Sequence, residues 1–203
     1  VFFAILGVDR ILEPKWLEFQ LHNRYTAFEG FYSMEKDSVD VLLLGSSQVF
    51  YTISPNELYE KYGIRSYNLG SPGQNLVDSR YILEEALKTQ KVDTVVFESL
   101  YLIRDIVNIW HEGAHRKAIE PMRFSLTKVR AINEVHRATP VLEPKSFYFR
   151  DLYFHSRWSE LTMEDFISPY LMGHTQTKGH LPIRMEGAGR EYTPLEGETE
   201  VNI

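Results

Sequence analysis

The sequence contains no cysteine, which removes disulfide frameworks, thiolate metal sites and cysteine nucleophiles together. It has no long hydrophobic run either. The chain opens with eight apolar or small residues, Val1–Val8 (VFFAILGV), whereas a helix needs about 20 to cross a bilayer. An excess of basic charge is also absent. Its 22 Lys and Arg stand against 28 Asp and Glu, a formal net charge of -6, and the cations are scattered singly, so the basic stripe of a nucleic-acid binder is missing. What remains, 203 residues of 43% apolar and 25% charged composition, is that of a soluble globular protein with one domain and an elaboration.

The opening run reads as the tail of a signal anchor, and Asp9 to Arg24, with mixed charge and Trp16, as a juxtamembrane connector. A buried first strand or helix is the competing reading. The anchor reading places the domain outside the cytoplasm, held at the membrane by an N-terminal helix of which only part is here.

Val39 to Leu44 (VDVLLL) is a continuous apolar run ending at Gly45, as expected of a strand covered on both faces of a parallel sheet. Ser54-Pro55-Asn56-Glu57 then combines an N-cap, a first-turn proline and a capping-box glutamate, and Gly63 ends that helix. A short strand, Arg65 to Leu69, runs into the loop Gly70 to Asn75. An amphipathic helix from Val77 to Thr89 follows, and Thr94 to Phe97 reads as a third, buried strand. Strand, helix, strand, helix, strand is the start of a doubly wound α/β sheet, whose ligands bind at the carboxyl ends of the strands. Gly45 to Gln48, Gly70 to Asn75 and Glu98 to Tyr101 all fall at such ends. From about Arg104 the pattern turns to helical stretches rich in aromatics, His and Arg, an insertion or a lid. The expected organisation is therefore 1–30 as anchor end and connector, 31–103 as the first part of the α/β domain, 104–186 as the helical insertion and 187–203 as a loop, with a sheet that is incomplete at the C-terminus.

A Ser just after a buried strand, preceded by Gly and followed by a helix, suits nucleophilic catalysis, because the turn exposes the hydroxyl and nearby N–H groups can hold an oxyanion. Gly and Ser are also ordinary turn residues. The neighbouring loop, Asn68-Leu69-Gly70-Ser71-Pro72-Gly73, offers glycines where a backbone must approach a ligand closely. Together, Leu44-Gly45-Ser46-Ser47-Gln48 and Asn68 to Gly73 resemble the first block, in its G-S-S variant, and the second block of the SGNH (GDSL-like) serine hydrolases and O-acyltransferases, over roughly Val39 to Leu100. The resemblance implies a three-layer, flavodoxin-like parallel sheet, Ser47 as nucleophile with its own N–H in the oxyanion hole, and Gly73 as the second donor. Gln48, Gln74 and Asn75 are expected to contact substrate near Ser47, or to cap local turns. The G-S-S block and the anchor are similar to the cell-envelope branch of that family, as in the D-alanyl transfer and alginate O-acetylation proteins. That likeness implies an envelope polysaccharide or other acylated substrate and a membrane-bound O-acyltransferase as partners. No cofactor is expected.

The sequence also departs from the family. The third block's Asn is replaced by Val96-Phe97-Glu98-Ser99-Leu100-Tyr101, and no Asp lies three residues before any of the seven histidines, so no Asp-x-x-His is present. A Ser hydroxyl is a poor nucleophile without an aligned base. The alternative is a non-catalytic accessory or glycan-binding module of the same machinery. A third reading comes from His111-Glu112-Gly113-Ala114-His115, an H-E-x-x-H that on a helix would direct two imidazoles at zinc, with Glu134 as a distant ligand. Gly113 weakens the helix and Arg116 and Lys117 oppose a cation, so a solvated helix start is expected instead and no metal site is assigned. His155, Arg157 and Trp158 suit either a sugar face or a packed amphipathic helix.

Overall fold

The computed structural model describes residues 8, 11–12, 21–100, 112–140, 142–149, 155–166 and 177–180. Three parallel strands lie in the order β2-β1-β3: β1 is Val41–Leu44, β2 is Ser66–Asn68 and β3 is Thr94–Phe97. Leu42 stands opposite Tyr67 on one side and Val95 on the other. The central strand is apolar throughout because both its faces are covered. Leu42 and Leu44 enter the main core, and Leu43, of opposite parity, is equally buried outside that cluster. β1 begins at Val41 rather than Val39 because the Ser38 and Val39 N–H groups donate to Gln90 Oε1, at 2.8 and 3.1 Å, and so serve a loop contact in place of a ladder.

Seven α-helices surround these strands among the described residues. α1 is Leu21–Tyr32, α2 Ser47–Thr52, α3 Pro55–Tyr62, α4 Leu76–Ala86, α5 Glu112–Ile119, α6 Leu126–Ala138 and α7 Pro144–Tyr148. α3 keeps the signals seen in the sequence. Ser54 caps it by accepting from the Glu57 N–H, Pro55 sits in its first turn, and Gly63 ends it at φ +68°. α1 runs across residue 30, where the connector was expected to end, and places Ala27, Phe28 and Phe31 in the core. Tyr67 of β2 meets it, stacking edge-on against Phe31 and donating its hydroxyl to the Ala27 carbonyl at 2.7 Å.

One core cluster joins β1, β2, α1 and α4 to α5, α6 and α7, through Leu42, Tyr67, Phe31, Ile82, Ile119, Ile132 and Phe147. The helices after residue 112 thus share the core of the sheet. Two 3₁₀ helices follow, His155–Glu160 and Met163–Phe166. Arg157 is structural, pairing with Asp165 at 3.1 Å and donating to the Leu12 carbonyl at 2.7 Å, while Trp158 is exposed.

The expectation that β3 is buried is not met. Val95 and Val96 each keep 40% of their surface exposed although they point to opposite faces, so β3 is a bare edge strand among the described residues. Residues 1–7, 151–154, 167–176 and 181–203, on which parts of the anchor, insertion and loop readings fall, lie outside the described residues. Among the described residues no helix is long and apolar enough to cross a membrane.

Candidate active site

The carboxyl end of β1 turns sharply at Gly45, which has φ +150°. A side chain there is excluded on two counts. The backbone favours glycine, and an added Cβ would lie 2.6 Å from both Glu98 Cβ and Val49 Cγ2. Ser46 follows as the N-cap of α2, nearly fully buried, its hydroxyl accepting from the Gln48 N–H at 3.4 Å. Ser47 is the first residue of α2 and is half-buried, and Gln48 is exposed. Of the two serines, the structure commits Ser46 to capping and leaves Ser47 partly open to solvent.

The second loop is tied to this turn by backbone. The Ser71 N–H donates to the Gly45 carbonyl at 3.0 Å, and an added Cβ on Gly70 would meet that same oxygen at 3.0 Å. Asn68, fully buried at the end of β2, fixes the geometry from below. Its Nδ2 donates to the Val49 and Ile53 carbonyls at 3.0 and 3.2 Å, holding α2 against β2, and its Oδ1 accepts from the Gly70 N–H at 3.1 Å. Gly73 has φ +70°, and α5 reaches it through Ala114. Among the described residues neither the Ser47 nor the Gly73 N–H donates to a protein acceptor. Asn75 is the N-cap of α4, accepting from the Asp78 N–H at 3.0 Å. Gln74 is fully buried, its Nε2 donating to Ser79 Oγ at 2.9 Å. Of the three polar side chains expected near Ser47, only Gln48 is exposed.

Glu98 follows β3 directly, where the resemblance would have an Asn donor. Its N–H continues the ladder to the Leu44 carbonyl at 3.1 Å, so the residue sits beside Gly45. One carboxylate oxygen, Oε2, accepts from the Ser46 N–H at 2.6 Å, and the other, Oε1, is buried with no hydrogen-bond partner among the described residues. An acceptor therefore occupies the third strand end.

No family model, curated protein or solved structure matches this chain. The chemistry is thus read from geometry.

Sequence reasoning missed one polar feature beside the site. Asp78, in the first turn of α4, and His115, on α5, pair through Oδ1 and Nδ1 at 2.8 Å, and both are essentially without solvent exposure. They stand 37 residues apart, so no fixed-spacing search for Asp and His finds them. The same pair corrects the view of the H-E-x-x-H segment as a solvated helix start. His115 and Arg116 are buried. Arg116 is held by Glu112 at 2.6 Å, by Glu120 and by Ser146, with its guanidinium over the Phe147 ring. Glu112 and His115 are engaged by protein groups, Glu134 bonds to Tyr81 and Arg80, and His111 lies outside the described residues. Among the described residues no group of three or more His, Asp or Glu is placed to hold a metal ion.

Proposed function

We propose that this chain carries the nucleophile of a serine-dependent acyl transfer or ester hydrolysis, within an SGNH-like, three-layer α/β domain. The observation that carries the reading is the junction of two loops at the ends of adjacent parallel strands: the Ser47 turn and the Gly73 loop are bonded through Ser71 and Gly45. The strand order β2-β1-β3 agrees with the start of the flavodoxin-like order, in which ligands bind beside β1 and β3. Ser47 Oγ attacks an acyl carbon, and the N–H groups of Ser47 and Gly73 receive the oxygen on which negative charge develops. Preorganised donors are worth more at a water-excluded site than in water. Gln48 is exposed on the same turn and is available to polar groups of the substrate.

The substrate class we favour is an acylated envelope polysaccharide, acted on outside the cytoplasm alongside a membrane-bound O-acyltransferase. It rests on the G-S-S block and the apolar opening of the chain, both features of sequence. A specific observation favours a second reading, a non-catalytic accessory module: Glu98 places an acceptor where the resembling family has an Asn donor.

The test is covalent labelling of the purified full-length protein with a fluorophosphonate. Labelling that Ser47→Ala abolishes and Ser46→Ala largely keeps supports the nucleophile. Labelling that survives Ser47→Ala contradicts it, and a folded protein that does not label supports the accessory module.

A further inference from the structure

The last described residues, Thr177 to His180, form a turn that fastens on Asn68. The Leu69 N–H donates to Leu43 of β1, so the Asn68 N–H, one residue earlier in an extended strand, points to the outer edge of β2. Its acceptor there is the Lys178 carbonyl at 3.0 Å. Gly179 lies so close to the same residue that an added Cβ would stand 1.8 Å from the Asn68 carbonyl oxygen and 2.9 Å from its carbon. The turn is shaped for that approach. Lys178 and Gly179 have φ +48° and +82°, the two left-handed central positions of a type I′ turn, and the His180 N–H closes it on the Thr177 carbonyl at 3.0 Å. A lysine seldom adopts such a φ, and here its ammonium stands 5.4 Å from the centroid of the Tyr59 ring on α3. Asn68 carries the contact onward. While its main chain takes the turn, its side chain holds the Val49 and Ile53 carbonyls of α2 and its C-cap, and the Gly70 N–H of the second loop. One fully buried residue thus joins the turn to both loops of the site.

We propose that the Thr177–His180 turn is a positioning strap for this site: seated on Asn68, it holds the Ser47 helix and the Gly73 loop in register, and unseated, it leaves the core folded and the site misaligned. This role rests on the serine-dependent reading given above. A buried N–H must keep an acceptor, so release of the strap turns the end of β2 toward another partner or water. The Asn68 side chain reaches three backbone groups at once and cannot keep all of them when its own backbone shifts. Ser47 begins α2 and Gly73 follows Gly70 in the second loop, so nucleophile and donor are displaced together. Rate is far more sensitive to such a shift than stability is. A misplacement of about 1 Å costs on the order of 100-fold in rate, whereas no residue of the turn belongs to the main core cluster among the described residues. The strained Lys178 backbone fits this role, since sparsely populated conformations persist where the surrounding structure holds them, often at functional sites.

The experiment unseats the strap in the full-length protein in two ways. Gly179→Ala drives a methyl onto the Asn68 carbonyl, and Lys178→Pro fixes φ near about −65°, which forbids the turn without adding an atom against β2. Circular dichroism reports folding, hydrogen–deuterium exchange mass spectrometry follows the peptide containing Asn68, and a fluorophosphonate titration gives the maximal labelling rate of Ser47 and the half-saturating probe concentration. The expected result is a folded protein in which exchange at Asn68 is faster and the maximal rate falls about 10- to 100-fold, with the half-saturating concentration little changed. That split is one a purely structural contact does not produce. A folded variant that labels at the wild-type rate, slowed labelling without faster exchange at Asn68, or loss of the fold in both variants overturns the strap and leaves the nucleophile standing. A wild-type protein that does not label at Ser47 removes the serine reading and the positioning role together.

Discussion

Replacing Gly45 by Ala should be among the most damaging single changes in this protein. At φ +150° an L side chain is strained, and holding a residue in such a sparsely populated region costs about 1–3 kcal/mol. The new methyl would also lie 2.6 Å from Glu98 Cβ and 2.6 Å from Val49 Cγ2. Glu98 Cβ sits on backbone held by the Glu98 N–H bond to the Leu44 carbonyl and cannot swing away, so overpacking adds about 1–3 kcal/mol. A loss of about 2–6 kcal/mol in unfolding free energy follows from these two terms, measured by urea denaturation followed by circular dichroism. The two terms separate in a cycle with Glu98→Gly, which removes one clash and leaves the strain. In that background Gly45→Ala should cost at least about 0.5 kcal/mol less, the coupling expected of touching residues. A Gly45→Ala cost below about 0.5 kcal/mol, the level of an ordinary surface substitution, would refute the close approach of β1 and β3 at the site.

His115→Ala should destabilise by about 1–3 kcal/mol, because it leaves the buried Asp78 Oδ1 without its hydrogen-bond partner, and a double-mutant cycle with Asp78→Ala should show strong coupling in urea melts. Asn75→Ala should cost about 1 kcal/mol through loss of the α4 N-cap, read as a lower denaturation midpoint at unchanged slope. The Arg65 guanidinium bonded to Asp40 holds its carboxyl below the ordinary aspartate value of 3.8. A depressed folded-state value stabilises above the unfolded value and loses that contribution as pH falls through the folded one. The Asp40 side-chain NMR resonance should therefore titrate below that of a free carboxylate, and Arg65→Ala should return it toward 3.8.

The sequence makes β1 legible because a strand covered on both faces must be apolar at every position, and VDVLLL ending in Gly leaves little else to propose. α3 is legible because its cap, proline and terminal glycine each answer a local backbone need. β3 is not, since four apolar residues read the same in a central strand and at an exposed edge. α1 is hidden by a polar start, LHNRYT, before the aromatic face that reaches the core. In the site, Ser47 and Gly73 announce themselves as turn residues beside glycine, whereas the commitments of Ser46 to a cap, Asn68 to two carbonyls and Glu98 to the Ser46 N–H depend on tertiary placement. The Asp78 and His115 pair has no sequence signal at all, because α4 and α5 meet only through packing.

The most direct test of the central claim is rapid-quench peptide mass mapping of the full-length protein during turnover of a chromogenic acetyl ester. The account predicts one added acetyl group on the peptide containing Ser47, with fragmentation placing it on Ser47 rather than Ser46 and with no adduct in Ser47→Ala. Turnover with an unmodified Ser47, or an acetyl group that maps to another residue, would contradict it.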